Sequence, residues 1–329
     1  SSAEVLSTAP AVVPGLFFVV RFLASPRATP EFIVPDLAAR WSTSEWRRVK
    51  DSQAYASWLL RTCLLRRRYL DPLFDRDVLV PDGSHLITFQ CSDESVSQAG
   101  SCAYDVAARD EQTLAIPDLH YFLERGYRRF RLHCRYKAPA WEARRCKAFW
   151  RGSTTGRACL DANGLSKLPR YRLCAMAKKS PELLDAGFVA IVQAATAQAH
   201  HEMEAHLASL GMRREAWPLL EFRQYRYLIE IDGNATPWGF LKKLLLGSCV
   251  LKVASERRQW FYSEINPWEH YVPVRADLSD LAERIRWCQK NDAAARRIAM
   301  RGQAFAAGFR FRQEMLAAAS ALAANAIQD

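Results

Sequence analysis

The sequence predicts an α/β protein, and one stretch carries most of that prediction. Two apolar runs, residues 227–231 and 249–253, are each long enough to cross a buried sheet. The polar turn Asp232-Gly233-Asn234 closes the first, and residues 238–246 between them have the spacing of an amphipathic helix. Strand, turn, helix and a second strand of like character make a βαβ unit. The second observation is size. With 329 residues, 50% of them apolar, the chain can bury the core of one large domain or of two ordinary ones.

Taken in order, residues 1–10 offer no pattern and are expected to be loosely attached. Residues 15–23 read as a first buried strand. Residues 51–69 place apolar positions at helical spacing with Arg61, Arg66, Arg67 and Arg68 on a basic face. That face is either solvated surface or a grip on anionic lipid. Residues 86–89 form a short strand, followed by Gln90-Cys91-Ser92-Asp93-Glu94-Ser95. Asp93 is placed either to order a turn or to project a carboxylate beyond the strand end. A basic segment, residues 125–145, is broken by Pro139 and is the expected seam between an N-terminal domain (1–140) and a C-terminal one (141–305).

Phe149-Trp150 ends a short strand, and Arg151-Gly152-Ser153-Thr154-Thr155-Gly156-Arg157 follows. Glycines allow close backbone approach, hydroxyls donate, and two arginines frame the loop, so the residue types suit an anion. The loop matches neither GxxxxGK[ST] nor GxGxxG, and an ordinary surface loop fits the same composition. A helix is expected over residues 170–179, a strand over 186–191 and a helical region to Leu210. Ligands of open α/β sheets sit beyond the carboxyl ends of the strands, where Asp232, Gly233 and Asn234 fall. Residues 260–273 then mix aromatics with Glu264, Glu269 and His270, more than a merely soluble loop needs. Asp277 stands where a helix through Lys290 would take its N-cap. Helices over 291–305 and 315–324 complete the chain, the last one apolar on several faces and expected to pack back on the first domain.

The net charge of +11 favours anionic partners. No recognition-helix, zinc-finger or RNP pattern points to nucleic acid. Nine cysteines without CxxC spacing read as free thiols, and His200, His201 and His206 lack the spacing of a zinc motif, so no metal is expected. The apolar run at residues 11–23 is broken by Pro14 and Arg21, too short to span a bilayer, and has no cleavage site of signal-peptide type. A cytoplasmic protein, able to lie against a membrane, is the expectation.

Several segments together resemble glycosyltransferase family 90, the capsule-associated and lipopolysaccharide-modifying transferases related to protein O-glucosyltransferases. They are FWRGSTTGR (149–157), DGN (232–234), KKLLLGSCVLKV (242–253), QWFY (259–262), PWEHYVPVRADLSDL (267–281) and the helix at 291–302. The resemblance covers about half the chain well and the first 140 residues loosely. It implies a GT-B-like fold of two Rossmann-like domains facing a cleft, with helix 306–329 completing the first. It implies inverting, metal-independent transfer of a sugar from a UDP-sugar to a glycan hydroxyl, without a cofactor. The acceptor would be a lipopolysaccharide core, a capsular or a lipid-linked glycan; a non-catalytic glycan-binding scaffold is the alternative.

The resemblance assigns the donor site to Arg151, Gly152, Ser153, Thr154, Arg157, Asp232, Gly233, Asn234, Trp238, Lys243, His270, Tyr271 and Asp277. The base would be Asp93, with Asp118 in reserve and Asp110 a further rival. Two departures matter. The arginine and Tyr-Pro that flank the aspartate in animal members are absent around Asp93. Gly239 stands where those members carry an arginine, leaving Lys242, Lys243, Arg151 or Arg157 to serve the diphosphate.

Overall fold

The computed structural model describes residues 17–23, 31–33, 84–90, 95, 97–136, 138–156, 161–325 and 327–328. Asp93, Arg157 and the basic helix expected at residues 51–69 lie outside the described residues. The chain divides into two compact units, residues 1–122 with 257–260 and 310–329, and residues 123–256 with 261–309. The basic segment expected to hold the seam belongs to the second unit.

The first unit carries strands β1 (Phe17–Leu23), β2 (Glu31–Ile33), β3 (Ser84–Gln90), β4 (Ser101–Ala103), β5 (Val106–Ala107) and β6 (Thr113–Ala115), then helix α1 (Leu119–Leu123). Its sheet runs β2-β1-β3-β4-β6, antiparallel across β2, β1 and β3 and parallel from β3 to β6. Cys102, Val106, Ile116 and Tyr121 are buried in its core. Gln90 Nε2 donates to Ser101 Oγ at 2.8 Å, satisfying two polar groups that the sheet buries.

The second unit begins with α2 (Arg128–Arg135) and β7 (Arg145–Ser153), continues through α3 (Ala162–Leu165), α4 (Pro169–Lys179), β8 (Leu184–Ala190), α5 (Ala197–Ser209), β9 (Tyr225–Glu230), α6 (Phe240–Leu245) and β10 (Cys249–Val253). A short β11 (Arg257–Arg258) belongs to the first unit and pairs antiparallel with β5. The second unit then resumes with β12 (Val272–Val274), α7 (Leu281–Lys290) and α8 (Asp292–Gly308). Helix α9 (Phe311–Asn325) and β13 (Ile327–Gln328) fall in the first unit, where β13 pairs with β3.

The sheet of the second unit is wholly parallel, in the order β12-β10-β9-β7-β8. All five residues of β10 are buried, as a strand covered on both faces requires. Tyr227, Ile229, Leu251 and Val253 form one core with Leu173 and Cys174 of α4, Ile285 of α7 and Ile298 of α8. From β7 the chain steps to one side for β8, then returns past β7 to lay down β9. The direction of winding therefore reverses between β7 and β9, and such a switch point leaves an open crevice at the carboxyl ends.

Two local expectations change. Strand β7 runs to Ser153, three residues past Trp150, so Arg151 and Gly152 are strand residues. Asp277 does not cap a helix: its Oδ1 accepts from the Ser279 N–H at 2.9 Å, and α7 starts four residues later. Cys102, Cys134, Cys146, Cys174, Cys249 and Cys288 are free thiols, all buried but Cys146. Among the described residues no helix is long and apolar enough to cross a membrane.

Candidate functional site

The two glycine loops read from the sequence meet at the switch point. Residues 153–156 leave β7 and residues 231–234 leave β9, and Gly156 N–H donates to Asn234 Oδ1 at 2.8 Å. Arg170, in the first turn of α4 behind Pro169, locks them from below. Its Nε donates to Asp232 O (2.9 Å), Nη2 to Ile231 O (3.1 Å) and Nη1 to Ser153 O (3.1 Å) and to Thr155 Oγ1. Burial pushes the Arg170 guanidinium down to about 10, with Glu230 and Asp232 pulling the other way. It remains a cation at neutral pH, fixed under both loops. Arg172, two residues further along α4, donates to Asp277 O at 3.0 Å and ties in the loop after β12.

Gly233 is demanded by close approach. A Cβ there would press on Thr155 Oγ1 and lie 2.9 Å from Arg170 Nη2. Gly233→Ala is expected to cost about 1–3 kcal/mol, as overpacking at a tight contact does, read as a lowered denaturant midpoint at unchanged m-value. Gly156 has φ +132°, a conformation that side chains rarely adopt. Asp232 contributes a carboxylate with one oxygen, Oδ2, accepting from Ser255 Oγ beyond β10. Its Oδ1 is buried without a hydrogen-bond partner.

Other predicted residues are used differently. Arg151 does not frame the loop. Its Nη2 pairs with Asp185 Oδ1 at 2.8 Å and its guanidinium lies 4.4 Å from the Phe149 ring centroid, on the sheet face that Phe149 shares. Strand alternation puts it there. Gly152 makes room for the Trp150 ring, which a Cβ would strike. Thr154 is fully buried, its hydroxyl donating to Val192 O (3.0 Å) and accepting from Val192 N–H (2.9 Å), which fastens the exits of β7 and β8 together.

Lys243 is committed beneath α6. Its Nζ reaches Glu230 Oε2 at 2.5 Å and Ile229 O at 2.9 Å. Burial pushes the Glu230 carboxyl up, against the pull of Lys243 and Lys252. Lys242 is held by Glu124 and sits 4.7 Å from the Tyr127 ring centroid, so neither lysine points a charge at the glycine loops. Trp238 offers its carbonyl to Tyr127 Oη–H at 3.4 Å.

His270 and Tyr271 precede β12, whose Val272 pairs in register with Leu251. They therefore lie toward the amino end of the parallel sheet, while the glycine loops lie beyond its carboxyl end. His270 Nδ1 accepts from the Asn266 N–H at 2.9 Å and its ring packs 4.7 Å from Phe305. Burial holds its imidazole below the usual histidine range, and burial likewise raises the Tyr271 phenol.

In the first unit, Asp118 Oδ1 accepts from the Tyr121 N–H at 2.9 Å at the start of α1. Asp110 Oδ1 takes Ser97 Oγ–H (2.7 Å), Gln112 N–H (2.9 Å) and Thr113 N–H (3.1 Å). Burial alone would raise the Asp110 carboxyl, but these donors together hold it below its ordinary value. Among the described residues no group of three or more His, Cys, Asp and Glu side chains could hold a metal ion.

The structure thus gathers Ser153, Thr154, Asp232, Gly233, Asn234 and Asp277 at one end of the sheet. Thr155 and Gly156, read from the sequence only as members of the anion-suited loop, complete that end together with Arg170, which the sequence did not mark. A proline-led helix start one crossover after β7 is the signal that could have found Arg170.

This region coincides with a known family. The sequence model of glycosyl transferase family 90 matches residues 127–312, more than half of the chain. The chain belongs to this family. Among family 90 relatives, Rattus norvegicus protein O-glucosyltransferase 3 is 33% identical over 165 residues, which is 50% of this chain and 28% of that protein. Danio rerio protein O-glucosyltransferase 2 is 33% identical over 172 residues, 52% of this chain and 30% of the relative. Rattus norvegicus protein O-glucosyltransferase 1 is 32% identical over 165 residues, 50% of this chain and 37% of the relative. The match to these relatives spans well under half of their length. Among solved structures, Anabaena HepE in complex with UDP-glucose aligns with a TM-score of 0.38 at 13% identity, over 61% of this chain and 53% of that one.

Proposed function

We propose that this family 90 chain is a glycosyltransferase that takes a UDP-sugar at the carboxyl end of the parallel sheet and passes the sugar to a hydroxyl of a glycan. The observation that carries the reading is the meeting of the 153–156 and 231–234 loops at the switch point, over the buried charge of Arg170. A fixed cation at such a place suits a diphosphate that gains charge as the glycosidic bond breaks. Asp232, with one carboxylate oxygen buried and unpartnered, suits a hydroxyl of the sugar or ribose better than a phosphate, since like charges repel.

In this reading the acceptor oxygen attacks the anomeric carbon from the face opposite the diphosphate. The bond from carbon to diphosphate oxygen breaks, and the acceptor proton passes to an aspartate, inverting the configuration. Asp93 is the proposed base and Asp118 the reserve. We take the reaction to need neither metal nor cofactor, and the acceptor to be a lipopolysaccharide-core, capsular or lipid-linked glycan, in line with the family resemblance.

A thermal-shift panel of UDP-, GDP- and CMP-sugars with and without EDTA tests the donor. UDP compounds at a hundredfold excess over Kd are expected to stabilise the fold by about 2.7 kcal/mol, unchanged by chelation. Stabilisation by GDP-sugars alone, or one that vanishes with EDTA, would refute this donor assignment.

A further inference from the structure

Helix α2 has a fixed inner face and an exposed outer one that the transfer reaction does not use. On the inside, Arg131 donates to Gly126 O (2.7 Å), Ala306 O (2.9 Å) and Ala307 O (3.1 Å), and Cys134 is buried. At its end, Arg223 Nη1 donates to His133 O and Tyr136 O, each at 3.1 Å, capping the last carbonyls. The helix is therefore pinned at both ends.

On the outside, Arg128, Arg129, Leu132, Arg135 and Tyr136 are exposed. Their spacing is that of one helical stripe. Leu132 is 61% exposed and Tyr136 67%, one helical turn apart and on the same stripe as the arginines. Arg125 is also exposed just before the helix, and the neighbouring acid, Glu124, is held by Lys242. The stripe is thus cationic as well as apolar, on a chain of net charge +11.

We propose that this stripe seats the protein on the surface of a bilayer containing anionic lipid. Arginine heads meet headgroup phosphates while their stems, Leu132 and the Tyr136 ring enter the boundary with the acyl chains. The mixture decides against a nucleic acid. A phosphodiester chain would reward the arginines, and bases would stack on Tyr136, but an exposed leucine at the centre adds nothing to such a contact. In a bilayer interface every one of these side chains has a use.

Flotation of the full chain with phosphatidylcholine vesicles, and with vesicles containing about one third phosphatidylglycerol, tests the proposal. Binding is expected to the anionic vesicles alone. Arg128→Glu with Arg129→Glu is expected to lower it by at least about tenfold, and Leu132→Ser by about threefold. Lys178→Glu with Lys179→Glu, an equal charge change on exposed positions of α4, is expected to leave it in place. Melting curves confirm that each variant is folded. Equal loss in both double variants, indifference to Leu132→Ser, or no flotation with anionic vesicles would each overturn the proposal. So would binding of a nucleic-acid oligomer, but not of vesicles, through the same arginines.

Discussion

Arg170→Met is expected to lower stability by about 2–4 kcal/mol and to abolish stabilisation by UDP-sugars. The guanidinium is buried and donates to three backbone carbonyls, Ile231, Asp232 and Ser153, and to the Thr155 hydroxyl. Removing it strands acceptors from two loops at once, and bonds to a charged donor are the stronger kind. Methionine keeps the aliphatic stem, which packs where the guanidinium lies 5.6 Å from the Trp150 ring centroid, so the loss reports the hydrogen bonds more than a cavity. Arg170→Lys separates charge from geometry. An ammonium keeps the cation but cannot fork between Asp232 and Ser153, so it should recover part of the stability and little of the UDP response. Denaturant midpoints and UDP titrations read both effects. Unchanged midpoints with normal UDP binding would remove Arg170 from the site.

Nothing in the residue pattern marks Arg170 as the link between the two loops. Its acceptors are mostly main-chain oxygens, which leave no trace in residue identity. The Asp232-Gly233-Asn234 turn was legible because a run of apolar residues stops abruptly at three turn formers, and β9 and β10 behave as that run predicts. The same logic shortened β7. Its start is exposed and carries Arg145 and Lys147, so only its buried centre looked like a strand, and Arg151 was counted into the loop. Lys243 looked available because its partner, Glu230, ends a strand that reads as apolar; only the fold brings the two together. The resemblance assigns His270 to the donor site, but the residues after it form β12, a short strand that contains Pro273. A proline is tolerated there, since β12 is the edge of the sheet. Once that segment is a parallel strand, whatever precedes it lies at the far end from the glycine loops.

Asp93→Asn is expected to cut turnover by about 10²–10⁴ while leaving UDP affinity unchanged, and the contrast with two other aspartates gives the prediction its force. Asp118 is buried and its Oδ1 holds the Tyr121 amide at the start of α1. Asp118→Asn retains an acceptor oxygen but introduces an amide donor into a buried place, and the expected cost is about 1 kcal/mol of stability with turnover near normal. Asp110 accepts three hydrogen bonds on one oxygen, and those donors hold its carboxyl below the ordinary value despite burial. A carboxylate held that low is a weak base toward an acceptor hydroxyl, so Asp110→Asn should register in melting temperature and not in chemistry. Turnover and melting temperature measured on all three variants therefore sort them. Loss of turnover at unchanged stability in Asp118→Asn, with Asp93→Asn active, would move the base to Asp118.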